Sequence, residues 1–164
     1  MVESIRTERL LLRRARAEDA VALHPIFTDP EGMRYWSTLP HENLAQTEEW
    51  LASMIDAPAD TSDDFILDLD GRAIGKLGCW RLHDVGYMLG REHWGHGYAG
   101  EAMAAFLAHR RRMGSTEITA DTDPGNLPSI RLLERHGFVE TGRAENTWLI
   151  GGVWHHSIYW RKDL

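Results

Sequence analysis

The chain has 164 residues, 43% hydrophobic and 26% charged, with a formal net charge of −7 and a single cysteine. That length fits one soluble domain spanning residues 1–164, and no apolar run approaches the ~20 residues of a membrane span. The acidic surplus argues against a nucleic-acid partner, which needs Lys and Arg to neutralise phosphates, and one thiol, Cys79, excludes an internal disulfide framework. The surplus suits a cationic ligand, although solubility alone accounts for it. No secretory h-region follows Met1-Val2-Glu3-Ser4, so a reducing, cytoplasmic setting is expected.

In chain order, residues 9–14 read as a first strand. Residues 17–29 follow as a helix whose apolar side is Ala20, Val21, Leu23, Ile26 and Phe27. A second helix is expected across Leu44–Ile55, with Pro58 beyond its end. Residues 65–69 and 72–80 form a hairpin around Asp70-Gly71, a turn dipeptide that accepts positive φ. Residues 85–89 make a further strand, bent or stopped at Gly90. A helix then starts at Tyr98, with a one-sided stripe of Ala99, Ala102, Met103, Phe106 and Leu107. It ends on Arg110, Arg111 and Arg112, cations that complement its C-terminal dipole, and Gly114 closes it. A strand at 116–121, a short helix opened by Asn126 and Pro128 and capped by Gly137, and two strands around Gly151-Gly152 complete the chain. The sum is an α/β sandwich around one mixed sheet.

The segment Trp94-Gly95-His96-Gly97-Tyr98-Ala99-Gly100 is the most informative stretch. Its glycines precede a helix whose first-turn amides have no intrahelical partner, and such a terminus favours a phosphate. Gly95, Gly97 and Gly100, with Asp121 about twenty residues on, also satisfy the dinucleotide-binding fingerprint. Against it stand the bulky Arg91, Glu92, His93 and Trp94 between strand and glycines, the antiparallel hairpin upstream, and only 64 residues after Gly100.

Three further stretches occur in fixed order with this loop: Val85-Gly86-Tyr87-Met88-Leu89 before it, then Asn126-Leu127-Pro128-Ser129, then Leu132-Leu133-Glu134-Arg135-His136-Gly137-Phe138. With the opening Thr7-Glu8-Arg9-Leu10-Leu11-Leu12-Arg13, the whole resembles the GNAT acetyltransferase superfamily. It is most similar to the branch of bacterial ribosomal-protein N-terminal acetyltransferases. The resemblance implies a mixed, mostly antiparallel sheet of six to seven strands, helices on both faces and a splayed central strand. It implies transfer of acetyl from acetyl-CoA, as co-substrate and without a metal, to an amine acceptor such as a protein N-terminus or a small amine. The family's phosphate motif falls on residues 94–99, with Trp94 in place of the usual Gln or Arg.

The same resemblance assigns roles. Gly95, His96, Gly97, Tyr98, Ala99 and Gly100 would bind the pyrophosphate. Met88, Leu89 and Gly90 would offer free main-chain groups to the pantetheine arm, in the manner of strand addition. A backbone N–H near Leu89 would face the thioester oxygen and stabilise the developing oxyanion. Asn126 would bond the pantetheine as well as cap its helix, and Ser129 would sit near the departing sulfur as a proton donor. For a base, the candidates are His83, Asp84, Glu145, His155 and His156, of which the adjacent histidines alternate faces of one strand. An α-amine with pKa near 8 needs little deprotonation, so a water chain also suffices. Neither His93-x-x-His96 nor His155-His156 forms a zinc pattern. Seven tryptophans are unusual for this length; packing explains most such residues, while Trp36, Trp80, Trp148 and Trp154 border the acceptor entrance if the resemblance holds. A module that binds acyl-CoA without catalysis would carry the same cofactor motifs.

Overall fold

The structure, a computed structural model, describes residues 2–164. Thirteen stretches alternate along it. Strands β1 (Ser4–Arg6) and β2 (Leu11–Arg13) precede helices α1 (Asp19–Phe27) and α2 (Leu44–Ile55). Strands β3 (Asp63–Leu69), β4 (Arg72–Arg81) and β5 (Asp84–Leu89) lead through a 3₁₀ turn at Arg91–His93 to α3 (Tyr98–Arg112). Then come β6 (Glu117–Thr122), α4 (Leu127–Arg135), β7 (Val139–Ile150) and β8 (Val153–Asp163).

The described residues form one eight-stranded sheet in the order β1-β2-β3-β4-β5-β6-β8-β7. That exceeds the six to seven strands expected. The excess arises at the start, where the strand expected at 9–14 is the short β2 and an additional strand, β1, precedes it, with Ile5 opposite Leu12. Thr7 makes the turn between them: its N–H donates to the Leu10 carbonyl, and its hydroxyl accepts the Leu10 N–H.

Alternation along the strands decides which helices cover which face, because successive side chains point to opposite sides. Phe65 and Leu67 pack with Ala102, Met103, Phe106, Leu132 and Leu133 of α3 and α4. Ile66 and Met88 pack instead with Leu23 and Phe27 of α1 and Leu51 and Met54 of α2. The α3 stripe read from sequence is therefore the helix's core face. Its C-terminal arginines do more than complement a dipole: Arg110 is buried, with Nη1 2.6 Å from Asp63 Oδ2 and Nη2 2.7 Å from Ser115 Oγ. That pair ties the far end of α3 to β3.

One junction in the sheet is incomplete. β5 and β6 are parallel and share a single paired position, Asp84 with Thr119, where the Thr119 N–H donates to the His83 carbonyl at 3.0 Å. Beyond it the strands diverge, so the C-terminal half of β5 has a partner on the β4 side only.

Candidate active site

Hydrogen-bond parity fixes what the open edge offers. The β4–β5 register sets Leu77 opposite Tyr87 and Gly75 opposite Leu89, and the Gly90 N–H donates to the Ile74 carbonyl at 2.9 Å. In an antiparallel ladder alternate residues turn their main-chain groups to the neighbour. Gly90 and Met88 thus face β4, while Tyr87 and Leu89 point theirs into the gap. This corrects the expectation that Met88, Leu89 and Gly90 all present free groups. Gly90 is committed at both ends, since its carbonyl accepts the His93 N–H at 2.9 Å. Leu89 keeps a free N–H in the gap, while its carbonyl accepts the Trp94 indole N–H at 2.8 Å. Trp94, at the leading position of the phosphate motif, therefore staples the end of β5.

Below that edge lies the glycine loop. Gly95 and Gly97 sit at φ +76° and +82°, left-handed values that a side chain makes costly. Gly97 is the N-cap of α3 and makes no side-chain cap. The first intrahelical bond runs from the Glu101 N–H to the Gly97 carbonyl. The amides of Tyr98, Ala99 and Gly100 consequently have no acceptor among the described residues, the condition of an anion site. The His96 side chain is exposed beside Tyr98, with ring centroids 5.8 Å apart.

A residue without an assigned role in the sequence reading completes this end. Arg9, from the turn before β2, lies over the Tyr98 ring at 4.5 Å and donates to the His96 carbonyl at 2.8 Å. Its Nε meets Glu101 Oε2 at 2.7 Å, while the Thr7 hydroxyl and Arg9 N–H hold Oε1. Burial pushes the Glu101 carboxyl up, but these three donors outweigh it and hold the pKa below the usual carboxylate range. The one acid in the first turn of α3 is thereby neutralised where phosphates would lie.

Across the gap, the Asn126 carboxamide oxygen caps α4 by accepting the Ser129 N–H at 3.3 Å. Tyr87, read from sequence as a strand residue, spans the opening: its hydroxyl donates to Ser129 Oγ at 2.7 Å. Desolvation pushes the Tyr87 phenol up to about 12, against the Ser129 hydrogen bond and the Arg135 charge. A phenol so held stays protonated near neutrality, which leaves the Ser129 proton free to be given elsewhere. Asn126, Ser129, Tyr87 and Leu89 thus gather at one opening.

The opposite face of the sheet carries acids. Ile118 and Ala120 point to the α3 side, so Thr119 and Asp121 point to the side of α1 and α2. Asp121 Oδ2 accepts the Ser157 hydroxyl at 2.9 Å and the Trp148 indole at 3.0 Å. The Asp84 carboxyl, though exposed at its surface, is pushed up by desolvation, against the hydrogen bond from the Thr119 hydroxyl at 3.1 Å and with the help of the Asp121 charge. His155 meets Asp123 at 3.1 Å, whereas His156 is exposed and accepts the Asn146 N–H. His83 and Glu145 are exposed. Trp80, Trp148 and Trp154 are about half exposed or more, at 66%, 47% and 53%, so core packing does not account for them.

A sheet opened between parallel strands, with bare helix amides at one end and a paired hydroxyl at the other, defines an acyltransferase cleft. The chain belongs to the GNAT acetyltransferase family: the model of the Acetyltransferase (GNAT) domain matches residues 9–139. An uncharacterised N-acetyltransferase, p20 of Bacillus licheniformis, is 30% identical over 151 residues, covering 86% of this chain and 85% of that relative. Among solved structures, a GNAT-family acetyltransferase from Bacillus anthracis superposes with a TM-score of 0.86 at 24% identity, covering 98% of both chains. RimL, a ribosomal-protein α-N-acetyltransferase in complex with coenzyme A, superposes at 0.87 with 17% identity, covering 99% of this chain and 98% of that one.

Proposed function

We propose that this acyltransferase moves the acetyl group of acetyl-CoA directly onto a primary amine, either a protein N-terminus or a small molecule. The observation that carries this is the open edge of β5, where the Leu89 N–H lacks a strand partner and Tyr87 reaches Ser129. The RimL neighbour, whose substrate is a ribosomal-protein N-terminus, adds support for an α-amine acceptor. The residues present fit acetyl-CoA. Open space surrounds Gly95, and the amides of Tyr98, Ala99 and Gly100 would hold the pyrophosphate with Gly97, His96 and Arg9 beside it. The pantetheine would lie along Tyr87 and Leu89, next to Met88 and Gly90, with Asn126 across from it. Acetyl-CoA supplies an activated thioester, and the chain's own groups do the rest.

In this reading the Leu89 N–H stabilises negative charge on the carbonyl oxygen, and Ser129 gives its proton to the leaving thiolate. No cysteine offers itself for a covalent intermediate. Cys79 is buried in β4 and desolvation pushes its thiol up, which suits direct transfer. Thiol release from acetyl-CoA across a panel of amines and N-terminal peptides tests this, with acceptor-dependent release expected. Cofactor binding by calorimetry without any acceptor-dependent release would instead make the protein a binding module.

A further inference from the structure

The acids on the α1–α2 face are placed with respect to the gap. Asp121 lies on β6 and Asp123 in the loop after it, beyond the single Asp84–Thr119 pair, and that loop runs into the site: the Asn126 N–H donates to the Asp123 carbonyl at 2.9 Å. Ser129 and Tyr87 stand on the α4 side of this gap, so leaving group and acceptor are served from opposite faces of the sheet. On the acceptor face one imidazole is fixed. Asp123 Oδ1 accepts the Gly125 N–H at 2.7 Å, which locks the carboxylate, and its Oδ2 meets His155 Nδ1 at 3.1 Å. The Tyr35 hydroxyl donates to the Gly125 carbonyl at 3.0 Å and pins the same loop from the segment between α1 and α2. An ionised carboxylate only accepts, so Nδ1 carries the hydrogen and Nε2 carries a lone pair. Nε2 has no partner among the described residues.

We propose that His155 is the general base of this acetyltransferase and that Asp123 is its positioning residue. The inference rests on the transferase reading above. His155 Nε2 takes one proton from the acceptor's ammonium group, and the imidazolium is balanced by Asp123. The freed amine attacks the thioester carbon, the C–N bond forms, and the C–S bond breaks. The thiolate takes the Ser129 proton, and the remaining surplus proton on the new amide nitrogen restores it. His155 returns its proton to water, so one amide, one thiol and one proton are produced. The titratable neighbours are Asp123 and Asp121 from the β6 side and Tyr35 behind Gly125, while β7 contributes the neutral Thr147 and Trp148.

The test compares His155→Gln and Asp123→Asn with the unaltered chain, using the amine that supports its fastest thiol release. The second variant keeps an oxygen for the Gly125 N–H but offers the imidazole a donor, which turns the lone pair away from Nε2. Removing a general base should lower kcat about 100-fold at pH 7 in His155→Gln and about tenfold or more in Asp123→Asn, with acetyl-CoA affinity by calorimetry unchanged. The deficit should narrow as pH rises past about 8, because an α-amine then arrives neutral. Retention of kcat within about threefold in both variants at pH 7 overturns the base and leaves the transferase standing. Absence of acceptor-dependent thiol release from the unaltered chain overturns both. Should His155→Gln fail to bind acetyl-CoA, the Asp123→Asn result decides in the same terms.

Discussion

The two sides of the opened sheet are built by different means. The cofactor side is mostly main chain: the Leu89 edge, two left-handed glycines and three bare helix amides. The acceptor side is mostly side chain, with Asp121 from β6, Asp123 from the following loop, and His155 and Ser157 from β8. A site of backbone groups is set by where the chain bends, so it tolerates many side chains and is broken by adding atoms. A site of side chains gathered from separate strands is broken by deleting them.

The largest effect should come from adding atoms at the loop. Gly97→Asp introduces a carboxylate into the anion site, at a φ of +82°, with its Cβ 3.4 Å from Arg9 Nη2. Acetyl-CoA affinity measured by calorimetry should fall at least about 100-fold, roughly 2.7 kcal/mol. Gly97→Ala separates strain from charge: it should cost about 1 kcal/mol of stability while weakening the cofactor far less. Wild-type affinity in Gly97→Asp would remove the loop from the cofactor site.

Next comes a side chain on which the pyrophosphate end of the cofactor side depends. Arg9→Ala strips Glu101 of a 2.7 Å ion pair and leaves a carboxylate in the first turn of α3, beside the bare amides. Acetyl-CoA should bind about tenfold more weakly, the scale of one charge-assisted hydrogen bond. The deficit should shrink in high salt, because Arg9 is partly exposed. A salt-independent deficit would mean that the variant distorts the turn before β2.

These contrasts explain what was legible in the sequence. α2 and α3 occupy the expected Leu44–Ile55 and Tyr98–Arg112 because local signals close them: the Asn43 cap that accepts the Gln46 N–H, and the glycine at the mouth of α3. The phosphate loop was legible for the same reason, since backbone geometry leaves a glycine spacing behind. β1 left no signal, for three residues are too few to show alternation. Arg9 was hidden because it reaches Glu101 from 92 residues away. The Tyr87–Ser129 contact depends on how far β5 and β6 diverge, which no periodicity reports. The acceptor side was legible only as scattered candidates. Choosing between His155 and His156 requires knowing that Asp123 follows β6 onto the His155 face of β8 while His156 meets Asn146 of β7, contacts made across 32 and 10 residues.

Smaller effects are expected where the two sides meet. Because a thiolate is a fair leaving group, Ser129→Ala should lower kcat only about three- to tenfold, with the KM for acetyl-CoA unchanged. Tyr87→Phe, which removes only the donor behind Ser129, should lower it less. The reverse order would make the Tyr87 phenol the proton donor and Ser129 its support.

The smallest effect concerns stability and has a definite sign. Desolvation and the neighbouring Asp121 raise the Asp84 carboxyl above the ordinary carboxylate value. A group whose folded pKa is raised contributes its stability in full below the unfolded value and loses it as pH rises through the folded one. At neutral pH, ionised Asp84 is therefore a slight burden on the fold, retained beside the gap with its oxygen on the Thr119 hydroxyl. Asp84→Asn keeps an acceptor for that hydroxyl and removes the charge. Its melting temperature should equal or slightly exceed that of the unaltered chain at pH 7, and the difference should close as the pH is lowered below the ordinary aspartate range. A lower melting temperature at pH 7 would mean that the charge itself holds β5 to β6 at their only shared position. The hydrogen bond from the Thr119 hydroxyl to the ionised Asp84 would then fix where the gap begins, and the acids on that face would be structural before they are functional.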